Sequence, residues 1–315
     1  AIVLRDPESI MPGDFDNDGD TDYVLGNLGE NSYYSGSSKY PLSIYFKDFD
    51  RNGTTEAVPT RYFKNRKGEL REYTAHLRDH VVDQMPFIKK RFLTYQSFSE
   101  AEFSQVFSEE EKKGLGSKKA THFSHCLLVN NGTAGFSMKV LPAMAQLAPV
   151  FGMVADDFDG DGNLDLLMNT NEFAMEVSSG RHDALNGLVL KGNGKGEFRV
   201  LSLTESGVYI PGSGRSMAVV SGIDHRYMVA ATQNKAALKL YGMRESGEGR
   251  RLHKVEPEVV ACMVHYKDGR KQRREIPWGA GFLSQSGRYI LTDASIQSIE
   301  LITSLGKRST LSINP

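Results

Sequence analysis

Cysteine, tryptophan, net charge and long apolar runs are all scarce in this chain, and each scarcity removes a class of protein. Only two cysteines occur in 315 residues, Cys126 and Cys262. They lie far apart and neither belongs to a CxxC pair, so each reads as a buried free thiol rather than half of a disulfide or a zinc ligand. Acidic and basic side chains nearly cancel, 39 against 38, for a net charge of −1. That balance gives no electrostatic footprint for nucleic acid. The one basic run, "KDGRKQRRE" at 267–275, reads as a solvated hairpin tip rather than a binding patch. No apolar stretch approaches the roughly 18 residues of a membrane-spanning helix. The opening "AIVLRDPESIMPGDF" has neither the basic start nor the apolar core of a signal peptide, as expected of a mature or trimmed chain or of a cytosolic one. The length is enough for one large domain or two smaller ones.

Clustered aspartate is what the chain does have. "DFDNDGDTD" (14–22), "DFDRNGTTE" (48–56) and "DFDGDGNLD" (157–165) align residue for residue. The first contributes Asp14, Asp16, Asp18, Asp20 and Asp22; the second Asp48, Asp50, Asn52, Thr54 and Glu56; the third Asp157, Asp159, Asp161, Asn163 and Asp165. Oxygen-bearing side chains fall at positions 1, 3, 5 and 9, with phenylalanine at 2 and glycine at 6 each time. Alternating hard oxygen donors suit Ca²⁺, which takes six to eight oxygens at about 2.3–2.6 Å. The glycine permits a sharp turn, so that the backbone carbonyl of position 7 (Asp20, Thr54, Asn163) can join the shell. Mg²⁺ prefers fewer protein ligands and more water. The absence of His and Cys from the clusters argues against zinc and copper. An EF-hand would need a bidentate Glu at position 12; here that position is Leu25, Pro59 or Met168. The runs that follow, such as "LDLLMNTN", read as strands, so each loop is expected to bend between strands and up to three Ca²⁺ ions are expected.

Strand-and-turn units continue after the loops. "LLVNNGTAGFSMKVL" (127–141) and "LVLKGNGKGEFRVLS" (188–202) each place an Asn-Gly or Gly-Asn-Gly turn between apolar runs, a hairpin signal. A degraded unit that keeps two strands and has lost its acidic loop is expected over 216–242. Repeated strand units with a metal loop point to radial or stacked repetition. Residues 64–120 break the pattern with apolar residues at helical spacing, Leu77, Val81 and Val82, then Phe103, Val106 and Phe107. They predict a helical insertion interrupted at Pro86, with a capping box in "SEAE" at 99–102 and with Phe87, Phe92, Tyr95 and Phe98 in its core.

"DFDxDGxxDL" followed by "NNGxxxF" resembles the FG-GAP/VCBS repeat, the blade of a calcium-binding β-propeller. "GDFDNDGDTDYVLGNLGENS", "PLSIYFKDFDRNG", "LPAMAQLAPVFGMVADDFDGDGNLD" and "SGRHDALNGLVLKGNGKGEF" resemble the large repeat-containing envelope proteins of Bacteroidetes-type bacteria over essentially the whole chain. "WGAGFLSQSGRYI" resembles the signature of the ASPIC/UnbV domain. The implied fold class is mainly β: a partial β-propeller over 1–245 carrying the helical insertion, then a small all-β module over 253–315 of about 60 residues. Trp278 and Phe282 are expected to pack the module against the blades. Roughly four blades are counted where propellers have four to eight, and those of this family more often about seven. The chain is therefore expected to be the C-terminal piece of a longer protein, with an exposed blade edge open to pairing.

Three functions follow from the resemblance and the residues. One is a non-catalytic, calcium-stabilised binding or scaffold module of the bacterial envelope, in the periplasm, on the outer membrane or secreted, recognising glycans or partner proteins. Its metal sites suit millimolar Ca²⁺ outside the cytoplasm. A second is a polysaccharide lyase or hydrolase, for which Arg181, His182 and Asp183, with Glu172 and Glu176 nearby, are the candidates. Against it stands the reading that Arg181 and Asp183 tie a loop to its neighbouring blade. A third is integrin-like adhesion or assembly. His122, His125 and Cys126 have a spacing that could attract zinc, but they lead directly into a strand, which favours incidental placement.

Overall fold

The computed structural model describes residues 9–177, 179–243, 250–279 and 281–313. The first eight residues, where a leader would be sought, and residues 244–249 at the expected domain border lie outside the described residues, as do Ser178 and Ala280. The described chain is mainly β, in six antiparallel sheets. No helix among the described residues is long and apolar enough to cross a membrane. Two compact units form among the described residues: one from Tyr33–Phe123, the other from residues 9–32 and from 124 onward.

In the larger unit, β1 (Ser9–Gly13), β2 (Asp22–Gly26), β7 (Cys126–Asn130) and β8 (Phe136–Val140) make one sheet in that order. The smaller unit is therefore spliced into the chain between the second and third strands of a meander. A second meander follows without interruption: β9 (Val150–Asp156), β10 (Asp165–Thr170), β11 (Leu188–Gly192) and β12 (Phe198–Leu201). A third sheet is β13 (Ser213–Ser221), β14 (Tyr227–Asn234) and β15 (Lys239–Gly242). The two Asn-Gly hairpins expected from sequence are among these strands, while the loop-less unit has three strands rather than the two expected, because Lys239–Gly242 adds to its edge.

Strand β10 carries six consecutive buried residues, Asp165–Thr170, because apolar cores cover both its faces. Met11, Val24, Leu127, Val150, Leu166 and Leu190 form the core shared by the first two sheets. Val154, Leu167, Val189, Met217 and Val229 form the core shared by the second and third. The strands β1, β9 and β13 that begin these sheets pack against one another in turn. Gly152 permits this on β9, since a Cβ there would lie 2.7 Å from the Met217 backbone nitrogen.

The C-terminal residues add β16 (Arg251–Lys254) paired with β19 (Tyr289–Thr292), and a sheet of β17 (Val259–Tyr266), β18 (Lys271–Glu275), β20 (Ile296–Thr303) and β21 (Arg308–Leu311). Cys262, Val264, Tyr266, Ile290 and Ile299 centre its core. Phe282 reaches Phe151 of β9, ring centroids 6.4 Å apart. Trp278 does not join that contact: it is 54% exposed, with the Arg288 guanidinium 4.3 Å from its ring.

The smaller unit has its own sheet, ordered β5 (Leu70–Thr74), β4 (Glu56–Lys64), β3 (Leu42–Lys47), β6 (Gly116–Ala120). Between β5 and β6 come five short helices, α1 (Arg78–Gln84), α2 (Phe87–Arg91), α3 (Tyr95–Ser99), α4 (Phe103–Val106) and α5 (Glu109–Lys112). Val81, Ile88, Phe98, Phe103, Val106 and Phe107 of these helices close over Phe49 and Val58 of the sheet. The helical part is thus narrower than 64–120. The expected capping box at 99–102 is absent, because Ser99 ends α3 and Glu102 caps α4; boxes form at Thr94, Glu102 and Ser108 instead. Tyr95 is exposed rather than core, its hydroxyl donating to Asp79.

Candidate metal centres

Each acidic loop joins two adjacent antiparallel strands, and the closing register is the same three times. Gly13 pairs with Asp22, Lys47 with Glu56 and Asp156 with Asp165. The backbone N–H of position 2 donates to the carboxylate of position 9: Phe15 to Asp22 at 3.0 Å, Phe49 to Glu56 at 2.8 Å, Phe158 to Asp165 at 3.1 Å. The glycine N–H of position 6 donates to the carboxylate of position 1, at 3.1, 2.9 and 2.9 Å for Asp14, Asp48 and Asp157. Position 7 donates to the side-chain oxygen of position 5 in all three. Gly19, Gly53 and Gly162 adopt φ of +94°, +89° and +82°, the left-handed turn that glycine tolerates at no steric cost. Position 4 is left-handed as well, in Asn17, Arg51 and Gly160. That second bend was not read from sequence; Asn17 and Gly160 are residues that favour it, whereas Arg51 gives no sign of it. The phenylalanine of position 2 anchors each loop: Phe15 against Phe198, Phe49 stacked on Phe107 at 4.3 Å, Phe158 against Tyr227.

These bonds gather carboxylates. Asp14, Asp16 and Asp18 bring ligand oxygens within 4.8 Å of one another, as do Asp48, Asp50 and Glu56, and Asp157, Asp159 and Asp165. Asp22 and Asp161 fall outside these close sets. Asp22 has both oxygens occupied by the Phe15 and Asn130 N–H groups. Asp161 turns to Lys191. The side chain of Asn163 leaves its own loop, its Oδ1 accepting from Asn17 Nδ2 at 2.9 Å, so the first and third loops touch.

The donor set fits a hard cation. Asp14 is 1% exposed, yet its Oδ1 accepts no hydrogen bond, and the buried Oδ1 of Asp16 accepts none either. A buried carboxylate oxygen without a donor carries a desolvation cost of several kcal/mol unless a cation faces it. Burial pushes Asp14, Asp22 and Asp157 up to about 6 and Asp165 up to about 7. Neighbouring carboxylates add to the rise, against backbone N–H bonds that favour the ionised form.

The basic run is a solvated tip only over residues 267–271, which are exposed; residues 272–275 are buried or half-buried. Its hairpin turns at Asp268-Gly269, and β18 lies along both loops of the larger unit. The Arg273 N–H donates to Asp14 Oδ2 at 3.1 Å, and Arg270 Nη1 to the Asp161 carbonyl at 3.0 Å. Gln272 Nε2 donates to Asn17 Oδ1 and to the Gly162 carbonyl. Arg274 lies 3.6 Å from Asp156, next to the third loop. The hairpin thus gives one donor to a loop carboxylate, at Asp14, and ties the two loops through their carbonyls and Asn17.

Of the remaining candidates, His125 and Glu172 are taken up by the fold, His182 is buried, and Arg181 and Asp183 are exposed. His125 is fully buried; its Nδ1 accepts from the Asn27 N–H at 2.8 Å, which leaves Nε2–H to donate to the Ala148 carbonyl at 3.0 Å. Both nitrogens are used, and burial pushes the imidazole down to about 4. Burial likewise pushes the Cys126 thiol up to about 11 and Cys262 to about 12. Both cysteines are free and buried. Glu172 bridges to His182 through the backbone, and its carboxylate sits 2.7 Å from Arg215. Burial raises Glu172, but bonds from Arg215, Ala174 and Ser213 outweigh it and leave the group below its ordinary value. Arg181 lies over the Phe173 ring at 4.0 Å rather than beside Glu172.

The smaller unit holds a groove of about 800 Å³ between the β4–β5 hairpin and the helices. Tyr33, Phe63, Tyr73 and Tyr95 offer ring surface there, and Asn65 and Gln105 polar edges. No family model matches the chain, and no curated protein matches it either.

Proposed function

We propose that the chain is a calcium-stabilised, non-catalytic binding or scaffold module of the bacterial cell envelope, built from FG-GAP/VCBS-type blades as part of a β-propeller. The observation that carries the reading is the buried pair of donor-less carboxylate oxygens on Asp14 and Asp16, inside a loop whose hydrogen bonds recur in two others. In the first loop Asp14, Asp16 and Asp18 would hold the ion; in the second Asp48, Asp50 and Glu56; in the third Asp157, Asp159 and Asp165. A bound ion supplies the counter-charge that the strands lack. Ions held by the native chain alone add their binding free energy to folding. Two successive four-stranded meanders and a three-stranded sheet, with β1, β9 and β13 packed in turn, are the arrangement that radial blades require.

The non-catalytic part of the proposal rests on Glu172, paired with Arg215, on His125, whose two ring nitrogens are both bonded, and on Arg181, laid over the Phe173 ring. Recognition is assigned to the groove of the smaller unit, where half-exposed rings beside amide edges suit the C–H faces and hydroxyls of sugars or the side chains of a partner. Two measurements together test the reading: bound metal counted after equilibrium dialysis in millimolar Ca²⁺, and incubation with pooled polysaccharides. Three ions per chain, as the clusters imply, with retention and no cleavage products is the expected result. Cleavage products would contradict the non-catalytic reading, and a protein without bound Ca²⁺ would contradict the structural one.

A further inference from the structure

The three loops share their spacing but not their surroundings. In the first, Asp14 Oδ1 and Asp16 Oδ1 are buried and meet no donor. In the third, the Lys191 ammonium of β11 donates to Asp159 and lies 3.0 Å from Asp161 Oδ2. The strand geometry makes the comparison like for like. The Asn130 N–H donates to Asp22 of the first loop as the Gly192 N–H donates to Asp165 of the third. Val129 and Lys191, each one residue earlier, are therefore counterparts. Val129 is 5% exposed and belongs to an apolar core, so the first loop receives no charge from that position. Other cations also favour the third loop: Arg250 donates to the Phe158 carbonyl and Arg270 to the Asp161 carbonyl. Near the first loop, Lys139 hydrogen-bonds to the Lys195 carbonyl and acts on Asp16 only through space, and the Arg273 side chain is turned to Thr21 and Glu275.

We infer that Lys191 is a built-in cation of the third loop, holding Asp159 and Asp161 in the metal-free protein and competing with a divalent ion for them. The first loop is then the high-affinity site and the third a low-affinity one, filled only as free Ca²⁺ rises further. The inference rests on reading the loops as Ca²⁺ sites. A divalent ion entering the third loop must break the ion pair of Lys191 and leave an ammonium beside itself. In the first loop it meets carboxylate oxygens that nothing else satisfies. The first loop would thus carry an ion for shape, and the third an ion whose occupancy reports the surrounding Ca²⁺ concentration.

Calcium titrations of the wild type, Lys191→Met and Lys191→Arg, read as ions bound per chain, test this. Asp159→Asn and Asp16→Asn assign the phases to their loops. The wild type is expected to fill in separated phases, with Asp159→Asn deleting a late one and Asp16→Asn an early one. Lys191→Met should move the late phase to at least about tenfold lower Ca²⁺, because a unit charge within a few ångströms is removed, and Lys191→Arg should leave it near the wild-type position. In EGTA, Lys191→Met should melt below the wild type and recover when Ca²⁺ is added. Lysine-selective NMR of the wild type needs no variant: the Lys191 signal should shift in the late phase alone. Superimposable titrations of Lys191→Met and wild type, or an unmoved Lys191 signal while Asp159→Asn still deletes an ion, would overturn the competition and leave the calcium reading standing. A wild type that binds no ion would overturn both.

Discussion

Asp14 shows how one side chain can stabilise or destabilise according to what faces it. One of its oxygens accepts from the Gly19 and Arg273 N–H groups, and the other is buried without a donor. With an ion in the loop the carboxylate is a ligand; in chelator it is a buried charge only half satisfied. Asp14→Asn should therefore cost about 1–3 kcal/mol in millimolar Ca²⁺, the stabilisation one extracellular-type site supplies. In EGTA it should cost little or raise the melting temperature. Paired thermal melts check this, and a variant destabilised equally in both buffers would contradict it. Gln272, 1% exposed, is a residue whose part no local pattern announces. Its amide joins Asn17 of the first loop to the Gly162 carbonyl of the third. Gln272→Ala should destabilise by about 1–3 kcal/mol, the cost of leaving buried polar groups unpaired, measured by urea unfolding with unchanged m-value.

At the scale of the element, the acidic loop is a hairpin connection whose form depends on a left-handed turn and on carboxylates drawn together. Gly53→Ala places a Cβ on a residue at φ +89° with open space around it. Conformation alone is then at issue, and a loss of about 1 kcal/mol is expected from denaturant unfolding. The pH dependence has a sign that follows from the raised carboxyls, and metal flattens it. In chelator, Asp14, Asp22 and Asp157 near 6 and Asp165 near 7 lie above the 3.8 of the unfolded chain. Between these values the native state holds more protons than the unfolded one, so stability is greatest at the acid end and is lost as pH rises through 6 to 7. Glu111 opposes this only at lower pH: burial raises it, but bonds from Arg91 and Ser108 take it down to about 2. With Ca²⁺ saturating, the ligand carboxylates hold no proton in the native state and almost none in the unfolded one above about pH 5, so stability is nearly level there and is lost only as pH falls toward the 3.8 of the unfolded chain. Melting temperatures over an interval from about pH 5 to about 7.5 should fall with rising pH in EGTA and stay nearly level in saturating Ca²⁺.

What was legible in the sequence follows the range of the interactions. Loops, Asn-Gly hairpins and the run of apolar strands are set by spacings under ten residues, and the strands stand where the patterns place them. The buried part of the basic hairpin was misplaced because its partners are remote: Arg273 meets Asp14 across 259 residues and Gln272 meets Gly162 across 110. Nothing within the hairpin records that acidic loops wait for it. The ion pair of Lys191 with Asp159, 32 residues away, was missed for the same reason. The helices were found but their bounds drifted, since short helices of four to seven residues are defined by the sheet they cover and not by their own periodicity.

Over the whole molecule, the apolar cores are ordinary in composition and the acidic loops are the groups that strands alone cannot satisfy. Their carboxylates either find a cation from the chain, as Lys191 provides, or one from solution. The measurement that bears most directly on this is thermal unfolding of the full chain in EGTA, repeated after Ca²⁺ or Mg²⁺ is restored, with bound metal counted in parallel. The account predicts a large rise in melting temperature with Ca²⁺, little with Mg²⁺, and binding at all three clusters. An unfolding curve that Ca²⁺ does not move would contradict it.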